Sequence, residues 1–429
     1  MKVGILGAGG EDYFSFYNFF REREDVRVEA FFLSDQVPSK LKKFPASLAG
    51  DRYPDGIPIY PESDLEKVIE EFGIEVVVFA YSDVPLSKFF ELASRTLDSG
   101  SAFGILPKRT IKSSRKVIAV VGTRTGVGKS QMTQQIFSYF KEKGVKAGVI
   151  RHNMIYREEI SSDLIMRFET RGDLDKFDLS IEEREEYEPL IDLGAVVYSG
   201  IDFKGILREI EKEAEIIIWD GGNNAVPFIK PDLTICIADP LRTGDELNYY
   251  PSEINVRLAD ILIIGKANLA TPQELEILKG NLRSVNPSAP ILLTESYLVI
   301  SQKVENKKVL IVADSPSLTH GELKIDAALI ASEKFGAEAV TIKPYGFFKE
   351  LYAKYPDLSR KILPSSGYSS EMIKDLEKTI NQTPADLVLS ASPCDLSKLM
   401  NLNKPVVRVS YRHRFNRKDR EKLFSLLEE

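Results

Sequence analysis

The sequence predicts an α/β protein of three domains with parallel sheets. Three observations predict it. Short apolar runs alternate with amphipathic segments along the chain, as strands joined by crossover helices do. The length of 429 residues suits about three domains of roughly 150 residues each. Residues 117–130 place an apolar run, a glycine-rich turn and an amphipathic segment in that order. Hydrophobic residues make up 43% and charged residues 28%, a globular balance that excludes a mainly disordered chain. A net charge of −7 gives no support to nucleic-acid binding. No apolar run approaches the roughly 18 residues of a membrane helix, so no membrane partner is expected. Cys236 and Cys394 stand far apart, which excludes a disulfide framework and points to a cytoplasmic, reducing compartment. The apolar start is cut short by Glu11 and Asp12 and reads as a first buried strand rather than a signal peptide.

Residues 1–113 read as a first domain. Strands are expected at 3–6, 26–33, 76–80 and 103–106, with a helix near 11–23 and a capping box over Ser63–Glu66. Gly7-Ala8-Gly9-Gly10-Glu11-Asp12 begins like a dinucleotide fingerprint, but Asp12 stands where the third glycine belongs and would repel a pyrophosphate. The expectation is a domain that packs on its neighbour or binds a smaller ligand. Residues 108–116 read as a linker. Residues 114–304 form the second domain, with strands at 117–121, 146–150, 195–198, 215–219, 233–238 and 260–264. A helix from Lys129 carries Met132, Ile136, Phe137 and Phe140 on one face. Thr271–Glu274 is a capping box with Pro272 at the first helical position. The charged stretch 157–193 reads as a helical insertion, its glutamates 182–188 on a solvated face. Residues 305–429 form the third domain, with strands at 309–312, 339–342, 387–390 and 406–409. The basic run Arg408, Arg412, His413, Arg414, Arg417, Lys418 and Arg420 reads as a solvated helix face. Trp219 and both cysteines read as core.

The chemistry concentrates in Gly122-Thr123-Arg124-Thr125-Gly126-Val127-Gly128-Lys129-Ser130. Glycines let such a turn wrap its N–H groups around a phosphate, and the helix start adds partial positive charge. Lys129 would reach the terminal phosphates and Ser130 would ligate magnesium. Thr123 departs from the strict pattern, which has glycine there. Arg124 either touches phosphate or faces solvent. Asp220 ends an apolar strand and would face Ser130 as a second magnesium ligand. Gly222 would let the backbone approach a phosphate, and Asn223 and Asn224 are candidate substrate contacts. Arg151 and His152 end a strand where open α/β sheets bind ligands, and are candidate substrate anchors. Arg242 would stabilise transferring phosphate, and His320 is a candidate for anion contact or proton transfer. Gly265-Lys266-Ala267-Asn268 lies where a guanine-reading motif would have Asn and Asp. An amide cannot accept two guanine N–H groups, so ATP is favoured over GTP, with Lys266 and Asn268 still placed near the base.

These residues define a central P-loop NTPase domain flanked by Rossmann-like N- and C-terminal domains. The loop spelling resembles the dethiobiotin synthetase and cobyrinic acid synthase branch of P-loop proteins. Arg124 stands where related ParA/MinD-type ATPases carry a signature lysine. Further phrases spread over the chain resemble a family of predicted GTPases or cyclic 2,3-diphosphoglycerate synthetase-like proteins. They are 48–61, 79–84, 181–189, Trp219–Asn224 and Leu318–Gly321. The resemblance implies a nucleotide-dependent synthetase that phosphorylates or cyclises a small anionic substrate, with ATP (or GTP) and magnesium. Lys129, Asp220, Arg124 and Arg242 are then the catalytic candidates. The alternative is a regulatory or metallochaperone-type GTPase. A homo-oligomer is left open.

Overall fold

The computed structural model describes residues 1–34, 41–107, 110–152, 160–177, 179–222, 225–313, 327–354, 358–365 and 370–429. It is a mixed α/β structure with two large sheets. The first has six strands, in the order Lys43–Phe44, Ile57–Pro61, Arg27–Leu33, Lys2–Leu6, Val76–Phe79, Ala102–Ile105. All four expected strands of the first block lie side by side and parallel. The helix after the first strand is Glu11–Ser15, continued by a π-helical turn over Phe16–Phe20. Ser63 is not the helix cap but lies in a short 3-10 turn, Glu62–Asp64. The helix begins at Leu65 with Asp64 as its cap, and Glu66 is committed to an ion pair with Arg95 at 2.6 Å.

The second sheet crosses the expected boundary near residue 304. Its central half runs Met166–Phe168, Val196–Ser199, Ala147–Arg151, Ile216–Asp220, Lys116–Gly122, Leu233–Ala238, Ile261–Ile264. These strands are buried on both faces, which is why they read as unbroken apolar runs. Ile291–Ile300, which the apolar pattern does not reveal, then joins the two halves. Its first residues pair in parallel with Ile261–Ile264, and Thr294 to Ile300 pair antiparallel with Phe415 to Val409. From Val406–Phe415 the sheet continues through Leu387–Ser390 and Lys308–Ala313 to Glu338–Ala339. Residues 408–415 are therefore strand, not helix face. Only the end of the basic run lies on a helix, Arg417–Glu428, where Arg417 is solvated.

The charged insertion also departs from expectation. It contains the strand Met166–Phe168 and the helix Ile181–Asp192, whose Glu182, Glu183, Glu185 and Glu188 are buried. The helix is wedged between the two halves of the long sheet. Ile181 packs into the C-terminal core, while Tyr187, Leu190 and Ile191 pack into the central one. Its carboxylates are burdened with partners, as buried charges must be. Glu183 closes a capping box with Ser180, Glu185 accepts from Ser365 and Ser392, and Glu188 pairs with Arg171 at 3.1 Å. The Thr271 capping box forms as expected. Trp219 and both cysteines are core. Among the described residues no helix is long and apolar enough to cross a membrane.

The first block docks on the central one through aromatic rings and a small ribbon. Phe14 packs on Phe228 with centroids 3.5 Å apart and on Phe203 at 4.9 Å. Val84–Pro85 pairs antiparallel with Tyr249–Tyr250. Phe14→Ala is expected to lower stability by about 3–5 kcal/mol in urea unfolding. Phe90→Ala, at an exposed position, is expected to change it by less than about 0.5 kcal/mol.

Candidate functional site

The strand Lys116–Gly122 turns over residues 123–128 into the helix Lys129–Glu142. Gly126 and Gly128 adopt left-handed backbone, φ +78° and +107°, which favours glycine there. Thr123 does not need that conformation. Its N–H continues the strand ladder to the Ile237 carbonyl at 2.9 Å, so threonine is tolerated. Most of the loop carbonyls are engaged by donors. Gly122 O accepts from Asn255 at 3.0 Å and Thr123 O from the Ser252 hydroxyl. Arg124 O accepts from Lys129 Nζ at 2.9 Å, Thr125 O from Arg242 at 2.8 Å and Gly126 O from Lys266 at 3.0 Å. Gly128 O is met by His413 Nε2 at 3.0 Å and by the Met132 N–H at 3.1 Å. The N–H groups of Gly126, Val127, Gly128 and Lys129 donate to no protein acceptor among the described residues. The result is an anion nest at a helix start.

Lys129 is buried at the floor of this nest. Burial pushes its ammonium down to about 8, against the opposing pull of Asp83. Asp220 is fully buried, and its carboxylate oxygens have no aligned hydrogen bond. Its ionic partner is Arg151, 2.7 Å away. The same guanidinium lies 3.4 Å from Ser130 Oγ and 3.5 Å from Glu186 Oε2. Ser130 and Asp220, expected to hold magnesium, are thus spanned by one cation. A hydroxyl and an under-satisfied buried carboxylate suit that hard ion, which takes few protein oxygens and completes its shell with water and phosphate. The residues fit magnesium. Among the described residues no group of three His, Cys, Asp or Glu side chains is placed to hold a metal by itself. Glu186 is a member of the site that the sequence did not disclose, because its acidic run looks solvated.

Other expected residues take different places. Arg124 faces neither phosphate nor solvent. It is buried between Asp83 at 3.1 Å and Asp245 at 2.5 Å, with its guanidinium 3.6 Å from the centre of the Tyr249 ring. Arg242 and Lys266 share the buried carboxylate of Asp239, at 3.1 and 2.7 Å, and brace the loop from outside. Asn268 is turned away from any base: its amide donates to Ser296 O at 3.1 Å and accepts from Ser296 N–H at 2.7 Å. His152 stacks on Phe203 beside Trp219 and Phe228, and burial holds its imidazole down to about 3, so it is neutral and is no anchor for an anion. Gly222 is required by close packing, since a Cβ there would lie 2.0 Å from the His152 carbonyl oxygen. Asn223, Asn224 and His320 lie outside the described residues. In the first block, Asp12 accepts from the N–H groups of Gly9, Gly10 and Tyr13 at 2.9, 2.8 and 2.7 Å, so the turn's own carboxylate fills the nest a pyrophosphate would need.

A central strand, an amide-lined turn, a buried lysine and a helix start define a P-loop nucleotide-binding protein. No family model matches the chain. It is 47% identical over 418 residues to arginine synthetase ArcE of Thermococcus kodakarensis, covering 96% of this chain and 93% of that one. The chain belongs to the family of arginine synthetase ArcE and is an enzyme of the synthetase class. It is also similar, at 24% identity over 59% of its length, to a cyclic 2,3-diphosphoglycerate synthetase of Thermococcus sibiricus, 64% of which is covered. Among solved structures, LpxK from Aquifex aeolicus in complex with ATP is 16% identical over 85% of this chain and 98% of its own, with a TM-score of 0.44.

Two outcomes follow from the geometry. A nucleotide's phosphates favour charged Lys129, which titrates near 8 in the free protein. Affinity is therefore full below that pH and falls as pH rises through it. The Kd for a nucleoside triphosphate, measured by calorimetry, is expected to rise about tenfold between pH 7 and pH 9. Arg124→Ala leaves Asp83 and Asp245 without their cation and is expected to cost about 3 kcal/mol of stability in urea unfolding. A loop arginine acting only on phosphate would cost almost none.

Proposed function

We propose that this chain is an ATP-dependent synthetase that forms arginine. The observation that carries the reading is the open amide nest over Lys129, facing Asp220 and Ser130 in a chain 47% identical to an arginine synthetase. ATP is favoured over GTP because Gly265 and the committed amide of Asn268 supply no carboxylate for guanine. The regulatory GTPase reading loses its base-recognition support for the same reason.

Arginine carries three nitrogens on its guanidino carbon, so a synthetase must replace a carbon–oxygen bond by a carbon–nitrogen bond. The acceptor fitting this chemistry is a ureido amino acid, with ammonia as nucleophile. The ureido oxygen takes the terminal phosphoryl group and the nucleoside diphosphate leaves. Ammonia then attacks the activated carbon, phosphate departs with the oxygen, and the surplus proton of the new nitrogen goes to that phosphate, leaving the guanidinium. Lys129 and the loop amides hold the phosphates and stabilise charge in flight. Magnesium, when bound through Ser130 and Asp220, neutralises phosphate charge. Arg242 acts one step back, by fixing the Thr125 carbonyl. Residues 1–113 and 305–429 serve as walls of the acceptor site around the platform of 114–304.

A second reading, closure of a phosphoanhydride in a diphosphoglycerate, is favoured by the likeness to cyclic 2,3-diphosphoglycerate synthetases. Phosphate release from ATP is the discriminating measurement. It is expected to require a ureido amino acid with ammonia, and to stay at background with 2,3-diphosphoglycerate. Release independent of either acceptor would overturn both synthetase readings. Lys129→Ala is expected to lower turnover by about 100-fold or more.

A further inference from the structure

His413 lies far along the chain from the phosphate loop, yet it touches it. Its strand, Val406–Phe415, pairs antiparallel with Ile291–Ile300, with Ser296 opposite His413. The pairing carries the imidazole over the start of the loop helix. Its Nε2 lies 3.0 Å from the Gly128 carbonyl oxygen. A carbonyl only accepts, so this nitrogen donates. Nδ1 is buried and has no partner among the described residues, and burial disfavours the charged ring. The neutral tautomer with its proton on Nε2 is thereby assigned. Space at the contact is tight: a Cβ on Gly128 would lie 2.4 Å from His413 Nε2. A second tie holds the strand in place, as Gln135 on the loop helix donates to the His413 carbonyl at 2.6 Å.

We infer that His413 is a positioning residue for nucleotide binding, which fixes the Gly128–Lys129 peptide and makes the phosphate nest depend on the seating of the C-terminal block. This rests on the phosphate-loop reading given above. The physical link is the planar trans peptide. Its C=O and N–H point in opposite directions, so the donors that hold Gly128 O, the Met132 N–H of the helix and His413 beside it, aim the Lys129 N–H into the nest. A hydrogen bond at the carbonyl also polarises the N–H of the same unit. Asn255, Ser252, Lys129, Arg242 and Lys266, which hold the other named carbonyls, come from the central block. His413 is the contribution of the C-terminal block. It sets geometry without touching the reacting atoms.

The test is calorimetric titration of the full-length protein with ATP and magnesium. His413→Ala is expected to weaken ATP binding about five- to tenfold, the worth of about one hydrogen bond. His413→Gln places an amide donor in nearly the same position and is expected to restore affinity to within about twofold. Arg412→Ala removes an exposed neighbour on the same strand and is expected to leave affinity unchanged. Should the alanine variant fail to fold, His413→Phe keeps the ring volume without the donor and carries the same expectation. Unchanged affinity in the donor-less variant overturns the inference, as does a folded glutamine variant that does not recover. Equal weakening by Arg412→Ala overturns it too, since that marks a general effect of the strand. Lys129→Ala separates this failure from that of the loop reading. If it binds ATP as the wild type does, the loop reading itself fails. If it loses binding while His413→Ala does not, only the role of His413 falls.

Discussion

The structure depends on a constraint of backbone direction at one turn. A loop can present N–H groups to an anion only if its carbonyls point elsewhere, and each carbonyl so turned needs a donor. Here the donors arrive from separate places. Asn255 and Ser252 lie on the helix after the Tyr249–Tyr250 strand, Arg242 follows the strand Leu233–Ala238, Lys266 follows Ile261–Ile264, and His413 comes from beyond the sheet junction. Several of these groups are polar and part-buried in a core that otherwise selects for Val and Ile. Asp239 is retained in burial because it holds Arg242 and Lys266 together, so that two cations can sit behind a loop built to receive anions.

Charge on the inner side follows the same economy of pairing. Lys129, Arg151, Asp220 and Glu186 form a buried alternation of signs in which no group is left without an opposite partner nearby. Arg151 bridges the positions that would hold a divalent ion, and its bridging explains how a carboxylate with no aligned hydrogen bond survives at zero exposure. Glu186 brings the helix Ile181–Asp192 into this network, while Glu185, one residue earlier, reaches Ser365 and Ser392 of the C-terminal block. One turn of a buried acidic helix thus touches both the phosphate site and the strand ends opposite it.

Much of this was legible in the sequence, for reasons that also explain what was not. Parallel strands buried on both faces must be apolar throughout, so Lys116–Gly122, Ile216–Asp220, Leu233–Ala238 and Lys308–Ala313 stood out. Ile291–Ile300 did not, because it changes role midway. Its start is a parallel strand and its end an antiparallel one with an exposed Glu295, so no single period runs through it. Ile57–Pro61 was hidden by its two prolines, which mark loops more often than strands. The loop, Lys129, Ser130 and Asp220 were legible because phosphate chemistry restricts residue type and spacing together. Glu186 and His413 were not, because a charged run has the same composition whether it meets water or a buried partner.

The two glycine turns of this chain show why a motif must be read with its acids. Both follow a central parallel strand and both open a helix. In the first, Asp12 lies three residues past Gly9 and folds back onto three N–H groups, and its burial depends on those bonds. An incoming phosphate would have to displace a carboxylate that has nowhere else to go. In the second, no acid lies within the turn. Asp83, from the first block, reaches only its rim, at the Thr125 N–H, and is held there by Arg124. The deeper amides stay open, and the buried carboxylate of Asp220 is paired with Arg151 instead. Two turns of similar spelling therefore end as opposites, one an anion site filled by its own chain and one left for a ligand. What separates them is the placing of a single carboxylate relative to the glycines.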